Sequence, residues 1–427
     1  VPTGCPIDNN AASASYSTFT IDAWTQWQEL YEASDEKNVV VVGAMSASVS
    51  VSGGYLQGGS HSRLSPLLGL ATDQVLEMSV VTADGQLRVA SPCQNEDLFW
   101  ALRGGGGGTY GAVVSTTHRT FPALQGLVGV FMLLFTESAS RFQELLTVFL
   151  QMQASMVEEN DDEDGRVSGW AGYSYITTPR GGYALTLNFL LPNATAAGAA
   201  EAYFAPLYGY AARHSADLAV VNHTVRLYFS FREWHTSVLC SAFPGLCTDA
   251  CGTNAAVSSR LLPAAALARR SPDDLAAALL LILAAPGIVQ IVGHLVGGGA
   301  VARAHPDINS INPAWRAAAW HVTVISSWQL PGDAATSFET VTRVNRLLRD
   351  LSPGSGAYLN EADVNEPDWQ QSFFGSHYDR LKAIKRLYDP RGLFTCVNCV
   401  GSEDWSGDDL NCRDLSTRPN MDSPTSP

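Results

Sequence analysis

The sequence predicts an α+β protein of more than one folding unit, and three observations carry that reading. The chain has 427 residues, more than one hydrophobic core ordinarily serves. Its first part sets short strand-like and helix-like segments around glycine-rich stretches. Residues 125–350 alternate long apolar runs with amphipathic helical patterns, which points to an antiparallel sheet carrying helices.

The elements follow in order. FTIDA, from Phe19, reads as a strand and TQWQELYEASDEKN as a helix, because its apolar positions recur at helical spacing. VVVVGA is a β-branched run suited to a buried strand. Residues 74–90 form a hairpin turning at Asp84-Gly85, and NEDLFWALRG a short helix with Asn95 as its cap. Gly104–Gly108, five glycines in a row, lead through Thr109-Tyr110-Gly111 into the strand AVVSTTHRTFP. In the middle region LVGVFMLLF, GWAGYSYIT, YALTLNFLL, VRLYFSF and HVTVISSW read as strands. SRFQELLTVFLQMQA, AAGAAEAYFAPLYG and ATSFETVTRVNRLLRDL read as helices. The helix LKAIKRLYD stops at Asp389-Pro390, where proline cannot continue it. The pattern divides the chain at 124, 350 and 405, with residues 406–427 a polar tail expected to be disordered.

Composition excludes several functions. A net charge of −15 with no Lys/Arg-rich run is wrong for nucleic acid, whose binders replace phosphate counterions. The longest apolar run, Leu275–Ile288, is short and broken by Pro286-Gly287, so no membrane span is expected. The acidic run Glu158–Gly165 reads as a solvated loop. Eight cysteines and two glycosylation sequons, at Asn193 and Asn222, favour a secreted protein with disulfides. The chain begins at Val1, so a leader has been removed or was never included. Cys240, Cys247 and Cys251 with His235 match no common zinc spacing and are expected to pin a surface loop by disulfides. Cys396 and Cys399 lack the strand–helix setting of a redox pair and read as structural.

A run of five glycines costs conformational entropy, so it needs a reason. Glycine lets backbone approach a ligand closely, and its turns turn successive N–H groups towards an anion such as a pyrophosphate. The run leads into a strand rather than a helix, which disfavours a Rossmann-type dinucleotide site.

The strings GGYLQGGSHS, GLATDQVLEMSVVTADGQ and NEDLFWALRGGGGGTYGAVVSTTHRTFP resemble the FAD-binding core of berberine-bridge-enzyme-like oxidoreductases, within the vanillyl-alcohol-oxidase type. YLNEAD and PDWQQSFFGSHYDRLKAIKRLYDPRGLF resemble the segment that closes that fold, and GHLVGGGAVAR and NPAWR resemble fungal members. The resemblance spans most of residues 16–405. It implies a PCMH-type FAD-binding domain over residues 1–124, a substrate domain over 125–350, and a segment at 351–405 that returns to the flavin.

It also implies roles. Ser46 to Ser62, including Val49, Gly53, Gly54, Gly58, Gly59 and His61, would pass beside the flavin ring and phosphates. Gly105, Gly106, Gly107, Gly108, Thr109, Gly111 and Val113 would line the adenosine and pyrophosphate side. Tyr358 and Asn360 match a Tyr-x-Asn motif in which Asn360 lies by the flavin and Tyr358 is the base. The implied reaction is hydride transfer from an alcohol or similar C–H donor (a sugar, alcohol or secondary metabolite) to FAD, with dioxygen as acceptor. A tyrosine of ordinary pKa about 10 costs roughly 4 kcal/mol to ionise at neutral pH, so a cation or hydrogen bonds are expected beside Tyr358. Tyr173, Tyr175, Tyr228 and Trp328 are candidate pocket walls.

The chain lacks two features that hold FAD in the family. VPTGCPIDNN resembles the start of the N-terminal FAD subdomain and Thr18–Trp27 already its end. The strands between, with the histidine that often anchors flavin covalently, are not in the sequence; the alternative cysteine anchor aligns with Ser46. FAD is then expected to be held non-covalently, and His61 and His118 are not expected to replace the anchor. The abrupt join favours a skipped coding segment over degeneration or completion by a partner chain, and it leaves an apolar sheet face expected to be exposed. A flavin-free pseudoenzyme, or a pocket guiding a non-redox cyclisation, is the rival function.

Overall fold

The computed structural model describes residues 17–161, 168–175, 181–241, 247, 254–406 and 412–413. The first part contributes strands β1 (Thr18–Asp22), β2 (Val39–Val40), β3 (Val75–Val81), β4 (Leu87–Ala90), β5 (Ala112–Arg119) and β6 (Phe121–Pro122). The middle contributes β7 (Leu127–Thr136), β8 (Ser168–Tyr175), β9 (Tyr183–Pro192), β10 (Ala219–Tyr228), β11 (Ala255–Pro263), β12 (Ile288–Leu295) and β13 (Ala318–Ser327). A four-stranded sheet runs β1-β5-β3-β4 and a seven-stranded sheet β10-β7-β9-β8-β12-β13-β11. All of these strand pairs are antiparallel.

The hairpin over 74–90 is present, with Gly85 at φ 77 in its turn. Asn95 stands at the N-cap position of helix Glu96–Leu102, but its backbone is left-handed (φ 49) and its amide donates to the Val89 carbonyl instead of capping. VVVVGA pairs only at Val39 and Val40, against Phe121 and Pro122; Val41 and Val42 are buried outside any strand. Pro122 has no N–H with which to extend that ladder. Strands β11 and β12 answer to no strand in the sequence reading. Alanine and serine interrupt the first run and a glutamine and a glycine the second, and their neighbours in the sheet pair with both. The apolar stretch from Leu275 is helix Pro272–Leu283, capped by the Ser271 hydroxyl and ended before Pro286-Gly287. No helix among the described residues is long and apolar enough to cross a membrane.

Among the described residues the solvent side of the small sheet is polar rather than the apolar face expected. Residues on its solvent side include Thr20, Glu77, Ser79, Ser115 and Thr117, with Thr20 and Thr117 hydrogen-bonded at 2.9 Å. Hydroxyls and a carboxylate let water solvate this side without cost.

One face of the seven-stranded sheet is sealed by helices Ala139–Asp161, Pro272–Leu283 and Ala334–Leu351, around Phe149, Leu187, Ile291 and Val324. The other face of β11–β13 looks towards the small sheet. Buried ion pairs fix the two parts. The Arg316 guanidinium grips Asp73 through two bonds of 2.7 and 2.9 Å, and Asn309 donates to the same carboxylate. Glu366 accepts from Arg260, Arg349, Ser372 and Asn345, which ties the C-terminal segment to β11. Lys385 donates to the Thr109 carbonyl and to Asp389, pinning helix Tyr378–Tyr388 on the glycine run.

Cys240–Cys247 and Cys396–Cys399 are disulfides, and Cys93 is disulfide-bonded too. Both sequon asparagines, Asn193 and Asn222, are exposed. Cys5, Cys251 and most of Glu158–Gly165 lie outside the described residues, as does the tail beyond 406 apart from residues 412–413.

Candidate functional site

Between the 44–61 segment and the free face of β11–β13 lies a cavity of about 700 Å³, lined mostly by apolar atoms. Ala44, Met45, Ser46, Val49, Gly54, Tyr55 and His61 form one wall. Strand alternation builds the other. In the β12–β13 register Gln290 faces Ile325, Val292 faces Thr323 and His294 faces His321, successive rungs of a single face. Of these six, all but His321 line the cavity, and Val257 of β11 joins them. Tyr358, Asn360 and Glu361 close the floor.

The floor is positioned by its backbone. The Tyr358 N–H donates to the Ser259 hydroxyl, and the Leu261 N–H to the Gly356 carbonyl, so the turn Leu359–Glu361 hangs from β11. The Asn360 amide donates at 2.9 Å to the Gly54 carbonyl and at 2.9 Å to the Tyr358 hydroxyl oxygen. The Tyr358 ring stands edge-on to Trp315, His61 and His321, with centroids 5.3–5.5 Å away.

The charges around Tyr358 correct one expectation. Burial first, then the Glu361 carboxylate, hold its phenol well above the usual tyrosine range; bonds from Asn360 and the Ser60 backbone oppose this without prevailing. Of the cation or hydrogen bonds expected there, a hydrogen bond from Asn360 is present, while the charged neighbour is an anion. Burial by itself would raise Glu361, but the polar contact of His61 at 3.8 Å and the fields of His321, His61 and His294 prevail and lower it to about 2. Burial pushes His321 down to about 3 and His294 well below the usual range, so both rings are neutral at physiological pH.

Of the residues singled out from sequence, Ser46, Val49, Gly54, His61, Tyr358 and Asn360 meet on this cavity. Gly53 precedes helix Gly54–Gln57, Gly58 lies beneath the Asn360 amide, and Gly59 faces Trp315 and Tyr358. The glycine run sits one layer behind. Gly105 is packed among Ala101, Tyr110 and Leu381, Gly106 lies beside Leu359, and Gly108 has open space around it. Gly111 abuts Val80 and Val81, and Val113 is half-buried in β5. Gly107 approaches Gly54 so closely that a Cβ on it would come within 2.9 Å of the Gly54 Cα. Thr109 is buried, and its hydroxyl has no hydrogen-bond partner among the described residues.

Two proposed walls are not walls. Tyr228 is buried with Leu127 and Trp234, and Trp328 packs on Phe338. The side chains of Tyr173 and Tyr175 lie outside the described residues. His118 is buried in the small sheet beside Thr116, away from the cavity lining. The sequence reading missed Met45, Gln290, His294, His321 and Glu361. Only Glu361 and His294 carried a signal, since they fall inside the strings YLNEAD and GHLVGGGAVAR.

A flavin is a flat aromatic ring system on a polar tail, and these residues fit its ring end. The cavity has the volume and the apolar walls, small side chains at Ser46 and Gly54 bring backbone to its edge, and the orphaned Thr109 hydroxyl lies by the glycine run.

Comparison with known proteins supports that fit. The model described as "Berberine and berberine like" matches residues 357–400, and that described as "FAD binding domain" matches residues 9–91. An FAD-linked oxidoreductase of Arthroderma benhamiae is 33% identical over 97% of this chain and 68% of its own length. The chain belongs to the berberine-bridge-enzyme-like FAD-linked oxidoreductases. Another FAD-linked oxidoreductase, from Aspergillus clavatus, is 35% identical over 93% of this chain and 66% of its own. A VAO-type flavoprotein of Myceliophthora thermophila C1 superposes with TM-score 0.79 at 28% identity, covering 93% of this chain and 69% of that one. This berberine-bridge-like chain thus spans about two thirds of the length of its relatives. It shares their mixed fold of FAD-binding and antiparallel-sheet parts.

Proposed function

We propose that the chain is an FAD-dependent oxidase acting on an alcohol or comparable C–H donor of a secreted pathway, with dioxygen as acceptor. Residues 1–124 and 351–405 serve as the cofactor-holding unit and 125–350 as the substrate unit. The observation that carries the reading is the joining of Ser46, Val49 and Gly54 with Tyr358 and Asn360 around one cavity. Ser46, Val49 and Gly54 would flank the ring, Asn360 would meet its edge, and Gly105–Thr109 would approach the phosphates. FAD is held without a covalent bond, because serine stands at the cysteine anchor position and the segment that would carry the histidine anchor, between Asn10 and Thr18, is not in the sequence. When bound, FAD supplies the electron-accepting ring.

The chain's own residues do the rest. Val257, Val292 and Ile325 exclude water from the cavity, and Gln290 and Thr323 offer hydrogen bonds that orient a polar substrate. Tyr358, its own proton first lost to solvent, takes the substrate's hydroxyl proton and returns to the neutral phenol. The Asn360 amide that donates to its oxygen favours the phenolate that must form first, against the burial and the Glu361 charge that oppose it.

Purified protein should be yellow, absorbing near about 450 nm as a flavin cofactor does. Tyr358→Phe should keep that colour and lose roughly 10²–10⁴-fold in turnover, the usual worth of a general base. Protein that stays colourless after incubation with FAD would overturn the oxidase reading.

A further inference from the structure

We propose that His61, His321 and Glu361 form a binding site for one divalent transition-metal ion of the zinc class, set in the wall of the cavity. Three elements deliver the set: His61 from the loop after helix Gly54–Gln57, His321 from β13, and Glu361 from the turn Leu359–Glu361. One ligand atom of each lies within 4.8 Å of the others. The two carboxylate oxygens face different rings, with Oε1 3.8 Å from His61 Nε2 and Oε2 3.8 Å from His321 Nδ1.

The spacing decides against ordinary pairing. At 3.8 Å neither contact is a hydrogen bond. Zinc–ligand distances of about 2.0–2.1 Å put neighbouring tetrahedral ligands roughly 3.4 Å apart, so small side-chain rotations bring these atoms onto one ion. His321 supplies the independent observation. Its side chain is fully buried, and neither ring nitrogen has a hydrogen-bond partner among the described residues. A buried imidazole left so costs free energy that a metal bond removes.

The chemistry selects the class of ion. Two imidazoles and one carboxylate suit zinc and its neighbours, whereas calcium and magnesium take oxygen-only sets. His294 stacks on His321 with centroids 5.4 Å apart and 19° between planes, which fixes the ring's orientation. Three protein ligands leave a coordination position, and His61 and Glu361 both line the cavity, so that position opens into it. There the ion would hold a water or a substrate hydroxyl beside Tyr358; only the identity of that oxygen rests on the proposed function.

The test is titration of the full chain, stripped with a chelator and free of any histidine tag, first with Co²⁺ and then with Zn²⁺. Saturable 1:1 binding with visible Co²⁺ ligand-field bands is expected, displaced by Zn²⁺. Affinity should fall at least about 10-fold in Glu361→Gln and His321→Ala, and stay unchanged in His305→Ala, an exposed histidine elsewhere. Should His321→Ala misfold by circular dichroism, the near-isosteric Glu361→Gln decides. Absence of saturable binding, or equal affinity in wild type and Glu361→Gln, overturns the site. Because Co²⁺ bands do not depend on flavin, a chain that binds cobalt but stays colourless with FAD keeps the metal site and loses the oxidase. A yellow chain without cobalt bands does the reverse.

Discussion

Glu366 and Glu361 stand five residues apart on one C-terminal segment and meet opposite environments. Glu366 is fully buried, and two guanidiniums, an amide and a hydroxyl donate to it. Glu361 faces two imidazoles at 3.8 Å and keeps 38% of its side chain exposed towards the cavity. The first carboxylate is consumed in holding β11 to the C-terminal segment. The second has unspent bonding capacity. Saturation of polar groups, more than burial, separates the scaffold from the site.

The comparison breaks most readily at Glu366. Replacing it by alanine leaves Arg260 buried without its partner, so about 3–5 kcal/mol of stability should be lost in urea unfolding. A loss no larger than that of an exposed carboxylate would show that the pair does not tie the segment down.

Histidines repeat the contrast. His118 is buried beside the Thr116 hydroxyl, and burial lowers its pKa to about 4. A group whose folded pKa lies below its unfolded value of about 6.5 binds more protons unfolded across that interval. Its stabilisation is therefore complete above pH 6.5 and is lost as pH falls towards 4, by roughly 3 kcal/mol over the interval. His118→Gln should flatten this limb of the urea midpoint against pH; an unchanged limb would assign it to other groups.

A smaller effect tests the layer behind the cavity. Gly107→Ala would put a methyl 2.9 Å from the Gly54 Cα, backbone that cannot swing aside, and should cost about 1–3 kcal/mol. A loss of flavin affinity without a loss of stability would instead make Gly107 a ligand contact. Smallest of all, Glu361→Gln should shift unfolding stability by less than about 1 kcal/mol, because little of the fold depends on it. A loss matching that of Glu366→Ala would erase the distinction between the two carboxylates.

Much of this was legible along the chain. Periodicity and turn chemistry placed the hairpin at Asp84-Gly85, the helix stopped by Pro390 and most strands of the large sheet, since these signals are local. Ordered motifs brought forward Ser46, Gly54, Tyr358 and Asn360, which do converge. The strand at Ala255–Pro263 was not legible because its small residues carry little strand signal, and Ile288–Leu295, although β-branched, was missed because it follows directly on the apolar helical run Leu275–Ile288. The histidine pair was hidden for a different reason. His294 and His321 are 27 positions apart in sequence and become neighbours only through the β12–β13 register. Aromatics on strands misled in the other direction, as Tyr228 and Trp328 went to packing.

By itself, then, the sequence determined the fold class, the family and the segments that meet on the cavity, because periodicity and motif order are written in neighbouring residues. Tertiary structure alone decided what stands beside Tyr358. There it set an amide, a carboxylate and imidazole rings where a cation or hydrogen bonds were expected, since strand register and the hanging turn at Leu359–Glu361 choose neighbours that no local pattern encodes.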